Sequence, residues 1–215
     1  MSEQSTAGEE QRQGQAPQEG TGKRGARGIL ARFLSGTGPI LGAWLLLCVV
    51  LAAFAPNFLE FDNITQIVVQ SAVIGIAAVG MTFVIITAGI DLSVGSVLAL
   101  TGMLAGISMQ GGAPGFVGIL VALGVGFLIG CFNGFSTTFF GITPFIVTLA
   151  VLSMARGLTL AVSSGQTVYG FPASFTFVGQ AELLGVSLLV WLTLATFAIG
   201  YLVLSRTVFG HQVYA

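Results

Sequence analysis

An uncharged stretch of 64 residues decides the fold of this chain: residues 92–155 read LSVGSVLALTGMLAGISMQGGAPGFVGILVALGVGFLIGCFNGFSTTFFGITPFIVTLAVLSMA. A water-soluble domain cannot leave so large a surface without charges and remain monodisperse. A helix that crosses the hydrocarbon core of a bilayer needs about 20 apolar residues, and the stretch is long enough for several such helices. The sequence therefore predicts an integral membrane protein.

The composition of the whole chain agrees with this prediction. The 215 residues are 54% hydrophobic and 7% charged, and the mean hydropathy is +0.96, whereas soluble domains carry about 25% charged residues. Most charges lie in the first 32 residues, a polar segment that cannot bury enough apolar surface to fold alone. Residues 1–32 are therefore predicted to be a disordered cytoplasmic tail, and its small net charge does not indicate nucleic-acid binding.

Six apolar spans follow the tail, and helices are predicted because a helix satisfies its own backbone groups within lipid. The spans are 39–58, 64–88, 92–109, 116–140, 144–163 and 185–204. Basic residues precede the first span and Arg206 follows the last, which places both termini in the cytoplasm. The predicted fold is an all-α, polytopic transmembrane helix bundle with about six spans, formed by residues 33–215.

Glycines recur at every fourth position on two of these spans. They are Gly102 and Gly106 on the third span, and Gly126, Gly130 and Gly134 on the fourth. Small residues on one helix face let neighbouring backbones approach closely. We expect the third and fourth spans to pack inside the bundle.

Asp91 is the sole acidic residue away from the tail and the predicted outer segments. Its carboxylate can cap the third span by accepting the backbone N–H of Ser93 or Val94. Alternatively, it lines the route of a solute, because an acid at membrane depth marks a functional site. Both interpretations stay open.

Arg156 is the sole basic residue inside a span, and it must face protein, a water-filled cavity or backbone carbonyls. An ion pair between Arg156 and Asp91 requires residues 89–95 to re-enter the membrane. The uncharged side chains of Ser93, Ser96 and Asn133 can hydrogen-bond a neutral solute or a neighbouring helix. We take these five residues as candidates for a substrate pathway.

No soluble-enzyme constellation is present in the sequence. There is no Walker A loop, and the single histidine is His211, near the C-terminal end. No cysteine and histidine cluster has metal-ligand spacing. The chain is therefore predicted to be neither an enzyme nor a holder of a metal or cofactor.

The run TAGIDLSVGS at residues 87–96 resembles the signature of permease subunits of sugar-type ABC importers, the ribose, galactose and xylose group. Further matching stretches follow in order: Asn133-Gly134, TPFIVTL at residues 143–149, Arg156-Gly157, Phe209-Gly210 and Tyr214-Ala215. The resemblance covers about residues 40–215. Members of that group continue beyond the last of these stretches, so the permease domain is expected to be incomplete at its C-terminal end.

The resemblance implies the translocation subunit of an ATP-driven importer for a monosaccharide or a similar small neutral polar solute, in the cell membrane of a prokaryote. It implies a second permease copy, a separate ABC ATPase subunit and an extracytoplasmic sugar-binding protein. The ATPase would contact a coupling region at Gly210, His211, Gln212 and Tyr214. A secondary transporter without an ATPase partner and a permease for branched-chain amino acids remain alternatives.

Overall fold

The computed structural model describes residues 38–214, so the predicted tail at residues 1–32 lies outside the described residues. Eight helices and one short hairpin form the described part. The helices are α1 (Gly38–Phe54), α2 (Phe61–Ile86), α3 (Val94–Gln110), α4 (Gly115–Phe139), α5 (Pro144–Ser163), α6 (Ala173–Gln180), α7 (Leu188–Arg206) and α8 (Val208–Tyr214). The antiparallel hairpin joins β1 (Glu182–Leu183) to β2 (Val186–Ser187).

Apolar helices occupy all six predicted spans, which confirms the all-α fold. In the described residues, α2, α4, α5 and α7 contain 19 to 26 residues and are long and apolar enough to cross a membrane. Helices α1 and α3 contain 17 residues each. A helix of that length measures about 26 Å, slightly less than the ~30 Å hydrocarbon core. Six crossings and two cytoplasmic termini stay predictions.

The chain divides into two compact units at residues 63 and 64. The first unit contains α1, the turn after it and the first turn of α2. Asn63 Nδ2 donates a hydrogen bond to the carbonyl oxygen of Phe58 (2.8 Å), which ties that turn to the start of α2. The second unit contains every residue considered below.

Helix α3 forms the centre of the second unit, where it packs against α4 and α5. The buried apolar side chains of α3 and α5 are those of Leu100, Ala105, Met109, Val147, Val151 and Ala155. A Cβ atom at Gly118 of α4 would lie 2.8 Å from Met109 Sδ, so glycine permits this close approach. Helices α3 and α4 therefore pack closely against each other.

The glycines that make this contact are not mainly those of the predicted pattern. Gly126 faces Thr101 across the interface, with Cγ2 of Thr101 3.7 Å from an added Cβ. Gly106 instead faces Val168, in the segment between α5 and α6. An added Cβ atom would meet nothing within 4 Å at Gly102, Gly130 and Gly134. Their spacing alone therefore did not identify the helix interface, because it does not show which face meets a neighbour.

Helices α2 and α7 touch at two places along their length. Thr193 Oγ1 of α7 donates a hydrogen bond to the carbonyl oxygen of Ala72 on α2 (2.9 Å). An added Cβ at Gly75 would lie 2.9 Å from Thr193 Cγ2, and one at Gly200 would lie 2.7 Å from Val79 Cγ1. Small residues on both helices thus allow the contact that the interhelical hydrogen bond needs.

Large apolar side chains remain exposed along the long helices. On α4, for example, Phe127 is 71% exposed, Leu128 67% and Phe132 56%. Soluble proteins rarely expose contiguous apolar patches of this extent. This surface is suited to contact with lipid or with other membrane-embedded protein.

The predicted outer segment at residues 164–184 contains structure that the sequence did not indicate. Helix α6 and β1 lie within it, and the hairpin delays the start of the last long helix to Leu188. Gln110 Nε2 at the end of α3 donates to the carbonyl oxygen of Tyr169 (3.1 Å). The segment is therefore attached to the end of α3.

Candidate functional site

A non-helical segment, residues 87–93, separates α2 from α3. Ala88 has φ 55°. Its N–H donates to Ile85 O (3.0 Å), and the N–H of Gly89 donates to Val84 O (2.9 Å). These two bonds form a Schellman motif, which ends a helix at a left-handed residue. The motif turns the chain sharply and starts the segment that carries Asp91.

Asp91 and Ser93 are linked by two hydrogen bonds. The backbone N–H of Ser93 donates to Asp91 Oδ1 (2.7 Å), and Ser93 Oγ donates to the same oxygen (2.6 Å). Ser93 is 1% exposed and lies directly before the first residue of α3. The prediction that the Asp91 carboxylate accepts the Ser93 N–H is confirmed.

Two neighbouring helices hold this segment in place. Asn133 Nδ2 of α4 donates to Ser93 Oγ (3.2 Å), and Thr148 Oγ1 of α5 donates to Ile90 O (3.1 Å). Asn133 lies six residues before the end of α4, and Thr148 lies four residues after the start of α5. At about 1.5 Å per residue, these positions are about 9 Å and 6 Å inside the helix ends.

The segment is therefore recessed below the ends of α4 and α5. Non-helical backbone at membrane depth is tolerated where protein buries it or where it lines a water-filled cavity. Here Ser93 is buried by protein, and the segment borders a cavity.

The cavity has a volume of about 600 Å³ and lies within the second unit. Residues of α2, α3 and α4 line it, together with Leu189 of α7. The polar residues among them are Asp91, Ser93, Thr101 and Asn133, and Asp91 is the one charged residue in this described lining. The rest of the lining is apolar. The cavity thus places a small polar cluster against apolar walls.

Asn133 carries an unusual acceptor in this cluster. The residue is 8% exposed, and its Oδ1 is buried without a hydrogen-bond partner in the described structure. A buried acceptor that lacks a partner costs about 1–3 kcal/mol. Such groups are rare in native proteins, so each requires an explanation.

Two of the predicted pathway residues do not line the cavity. Ser96 is half-buried on α3, and Arg156 is exposed on α5. Arg156 lies eight residues beyond Thr148 along α5, which is about 12 Å from the level of the recessed segment. Within residues 38–214 no ion pair joins Arg156 to Asp91, whose bonded oxygen accepts from Ser93. The distance along α5 accounts for the absence of that predicted pair.

The predicted coupling region forms α8, which follows α7 after a sharp bend. A Cβ at Gly210 would overlap the carbonyl oxygens of Leu204 and Val203, so only glycine fits at this bend. His211 Nδ1 lies 2.9 Å from the carbonyl oxygen of Thr207. His211, Gln212 and Tyr214 are exposed.

An aromatic contact connects α8 to α2. The ring of Phe209 stacks on that of Phe83, with centroids 6.3 Å apart. The carbonyl oxygen of Phe83 accepts the N–H of Thr87, the first residue of the recessed segment. Sequence analysis had not connected these two regions, because they are distant along the chain.

Thr148 and Thr101 were also missing from the predicted site. Thr148 is 3% exposed and holds the backbone of the recessed segment, and Thr101 is 7% exposed and lines the cavity. Threonine is common in membrane helices as a partner for its own backbone. Sequence offers no signal that separates that role from the contacts these two residues make.

Comparison with known proteins gives a consistent set of matches. Residues 63–215 match the family described as "Branched-chain amino acid transport system / permease component". The ribose import permease protein RbsC of Haemophilus influenzae is 37% identical over 177 residues, which cover 80% of this chain and 55% of that relative. The D-allose transport system permease protein AlsC of Escherichia coli K12 is 36% identical over 179 residues, covering 81% and 55%.

A third relative is the autoinducer 2 import system permease protein LsrC of Enterobacter sp. strain 638, which is 35% identical over 166 residues, or 77% of this chain and 48% of the relative. The chain spans about half the length of the curated relatives it matches. No solved structure gives a significant match. Together with the long apolar helices, these matches confirm a multi-pass protein of the prokaryotic cell membrane and the resemblance seen in the sequence motifs.

Proposed function

Because this chain belongs to the family of branched-chain amino acid transport system permease components, we propose that it forms part of the membrane-spanning translocation subunit of an ATP-driven importer. The cargo is a monosaccharide or a similar small neutral polar solute. ATP hydrolysis takes place on a separate partner subunit, so the chain itself is not an enzyme.

The observation that carries this proposal is the polar cluster of Asp91, Ser93 and Asn133 at the edge of the cavity. A cavity of about 600 Å³ falls in the range of about 300–1,000 Å³ that small-molecule sites occupy. Its few polar groups and apolar walls suit a small neutral molecule. We assign the pathway to these three residues first, while Ser96 and Arg156 remain candidates outside the cavity lining.

The family and the exposed side chains of α8 support the choice of partners. An ABC ATPase subunit contacts α8 from the cytoplasm, through the exposed side chains of His211, Gln212 and Tyr214 and the bend at Gly210. An extracytoplasmic sugar-binding protein delivers the cargo to the opposite face. A second permease copy completes the pathway, and lipid covers the remaining apolar surface.

The family description supports a second candidate, a permease for branched-chain amino acids. The relatives named for ribose, D-allose and autoinducer 2 support the sugar class instead. A secondary transporter without an ATPase is a third candidate, and such carriers usually place ionisable groups along the pathway. In the described cavity lining, Asp91 is the one group of that kind.

Purification through a tag on this chain, from its own host and in mild detergent, tests the proposal. We expect an ABC ATPase subunit to copurify. After reconstitution into liposomes, ATP should drive uptake of radiolabelled D-ribose or D-allose when the host's binding proteins are supplied.

Each of the other outcomes identifies a different function. ATP-driven uptake of leucine without sugar uptake would establish the branched-chain amino acid candidate. Uptake that follows a proton or sodium gradient in the absence of ATP and of an ATPase would establish a secondary transporter. Either result would refute the sugar importer.

A further inference from the structure

The unpartnered amide oxygen of Asn133 points to a specific contact with the cargo. We propose that Oδ1 of Asn133 and the carboxylate of Asp91 accept hydrogen bonds from hydroxyl groups of a neutral sugar or polyol in the cavity, and that Ser93 positions both acceptors. The inference rests on the proposed transport function and assigns the chemistry of recognition within it.

The hydrogen bonds around Ser93 fix which way the Asn133 amide faces. A serine hydroxyl has one hydrogen to donate, and Ser93 Oγ donates it to Asp91 Oδ1 at 2.6 Å. Ser93 Oγ can therefore only accept from Asn133, so the amide nitrogen must face it, as the 3.2 Å contact shows. The amide oxygen is consequently directed away from Ser93.

The two acceptors belong to one cluster beside the cavity. Asn133 is 8% exposed and Ser93 1% exposed, so neither side chain is freely solvated. The described hydrogen bonds to Asp91 both use Oδ1. Asp91 and Asn133 both line the cavity, and the buried Oδ1 of Asn133 has no partner in the described structure. The cluster thus lacks a hydrogen-bond donor.

The chemistry of the lining selects the class of molecule that supplies this donor. A sugar or polyol offers adjacent hydroxyl groups, each of which can donate to an acceptor. Its C–H surface can contact apolar neighbours such as Ile76, Val94 and Val97. The ammonium group of an amino acid could also donate to these acceptors, but its carboxylate offers acceptors alone, and the described lining provides no lysine, arginine or histidine for that carboxylate. Asp91 would also repel it.

Asn133→Leu in the tagged transporter complex tests this contact, with Ser136→Ala as the matched control. Ser136 is buried on the same helix at 5% exposure and does not line the cavity. Because the binding protein that delivers the cargo sets the half-saturating concentration of uptake, the contact is measured on the detergent-solubilised complex without that protein. We expect Asn133→Leu to raise the D-ribose or D-allose concentration that half-saturates thermal stabilisation of the complex about tenfold or more, which is the loss expected for a buried hydrogen bond. Ser136→Ala should keep the wild-type concentration dependence.

Thermal unfolding of the same complexes in detergent supplies a readout that a purely structural role would not give. Asn133→Leu removes the unsatisfied acceptor together with the hydrogen bond that Asn133 Nδ2 donates to Ser93 Oγ. These opposing effects should leave the unfolding temperature without sugar close to that of the wild type, while the rise produced by a given sugar concentration should be smaller. If Asn133→Leu does not assemble, Asn133→Gln retains the amide but displaces it, and it should weaken the response to sugar as well.

The outcomes separate this inference from the proposed function. Wild-type sugar uptake together with unchanged sugar dependence in Asn133→Leu, or in Asn133→Gln where the leucine variant does not assemble, would overturn the contact alone. A destabilised Asn133→Leu complex with normal half-saturation would likewise assign Asn133 a structural role. Absence of sugar uptake in the wild type would refute the transport function itself.

Discussion

Adding one methyl group at Gly200 tests the close packing of α7 against α2. A Cβ at Gly200 would lie 2.7 Å from Val79 Cγ1. Val79 cannot easily rotate away, because valine has one strongly preferred rotamer in a helix. Overpacking of this kind costs about 1–3 kcal/mol, whereas replacing glycine by alanine in a helix gains about 1 kcal/mol. Gly200→Ala should therefore lower the free energy of unfolding by up to about 2 kcal/mol.

Gly80→Ala is the matched control, since Gly80 lies inside α2 and an added Cβ there would meet nothing within 4 Å. This substitution should raise the free energy of unfolding by up to about 1 kcal/mol, through helix propensity alone. The free energy of unfolding of the purified 215-residue chain, titrated with sodium dodecyl sulfate in mild detergent and followed by circular dichroism, measures both variants. A Gly200→Ala variant as stable as Gly80→Ala would refute the close packing of α2 and α7.

Three further outcomes are expected. In the same titration, Thr193→Val should lower the free energy of unfolding by about 1 kcal/mol, because it removes the hydrogen bond to Ala72 O. Thr196→Val should lower it by less, because the Thr196 hydroxyl bonds within its own helix. Equal losses in the two variants would contradict the interhelical bond. Ala88→Gly should raise the free energy of unfolding by about 1 kcal/mol, because the backbone of Ala88 has a positive φ. Ala78→Gly, in the middle of α2, should lower the free energy of unfolding by about 1 kcal/mol. A loss of stability in Ala88→Gly would contradict the left-handed turn. Both termini are predicted to be cytoplasmic. Alkaline phosphatase fused to either end of the chain should therefore be inactive, and green fluorescent protein fused to either end should be fluorescent. Opposite results at the two ends would exclude an even number of crossings.

The sequence predicted more of the fold than of the site. The long uncharged runs predicted the ends of the helices to within a few residues. Within lipid, a segment must satisfy its own backbone hydrogen bonds, and a helix does so. The link between Asp91 and Ser93 was also predicted correctly, since it joins residues two positions apart. The cavity was not predictable, because Asn133 reaches Ser93 across 40 residues and Thr148 reaches Ile90 across 58.

Helix interfaces show the same division between local and distant information. The spacing of Gly126, Gly130 and Gly134 indicated a packed face, yet Gly118 makes the close contact on α4. A repeat of small residues shows that one face of a helix carries small side chains. Which neighbour lies against that face depends on crossing angles and loop lengths that a periodic pattern does not contain.

Hydropathy, charge placement and the run at residues 87–96 determined the membrane location, the helical architecture and the family to which this chain belongs. These properties depend on the solvent and on local backbone chemistry, which each stretch of residues carries by itself. The tertiary structure alone decided that Asp91, Ser93 and Asn133 share one cavity while Arg156 and Ser96 do not line it. Hydrogen bonds act over about 3 Å. The role of a polar residue therefore depends on which neighbouring helix the tertiary packing brings within that distance.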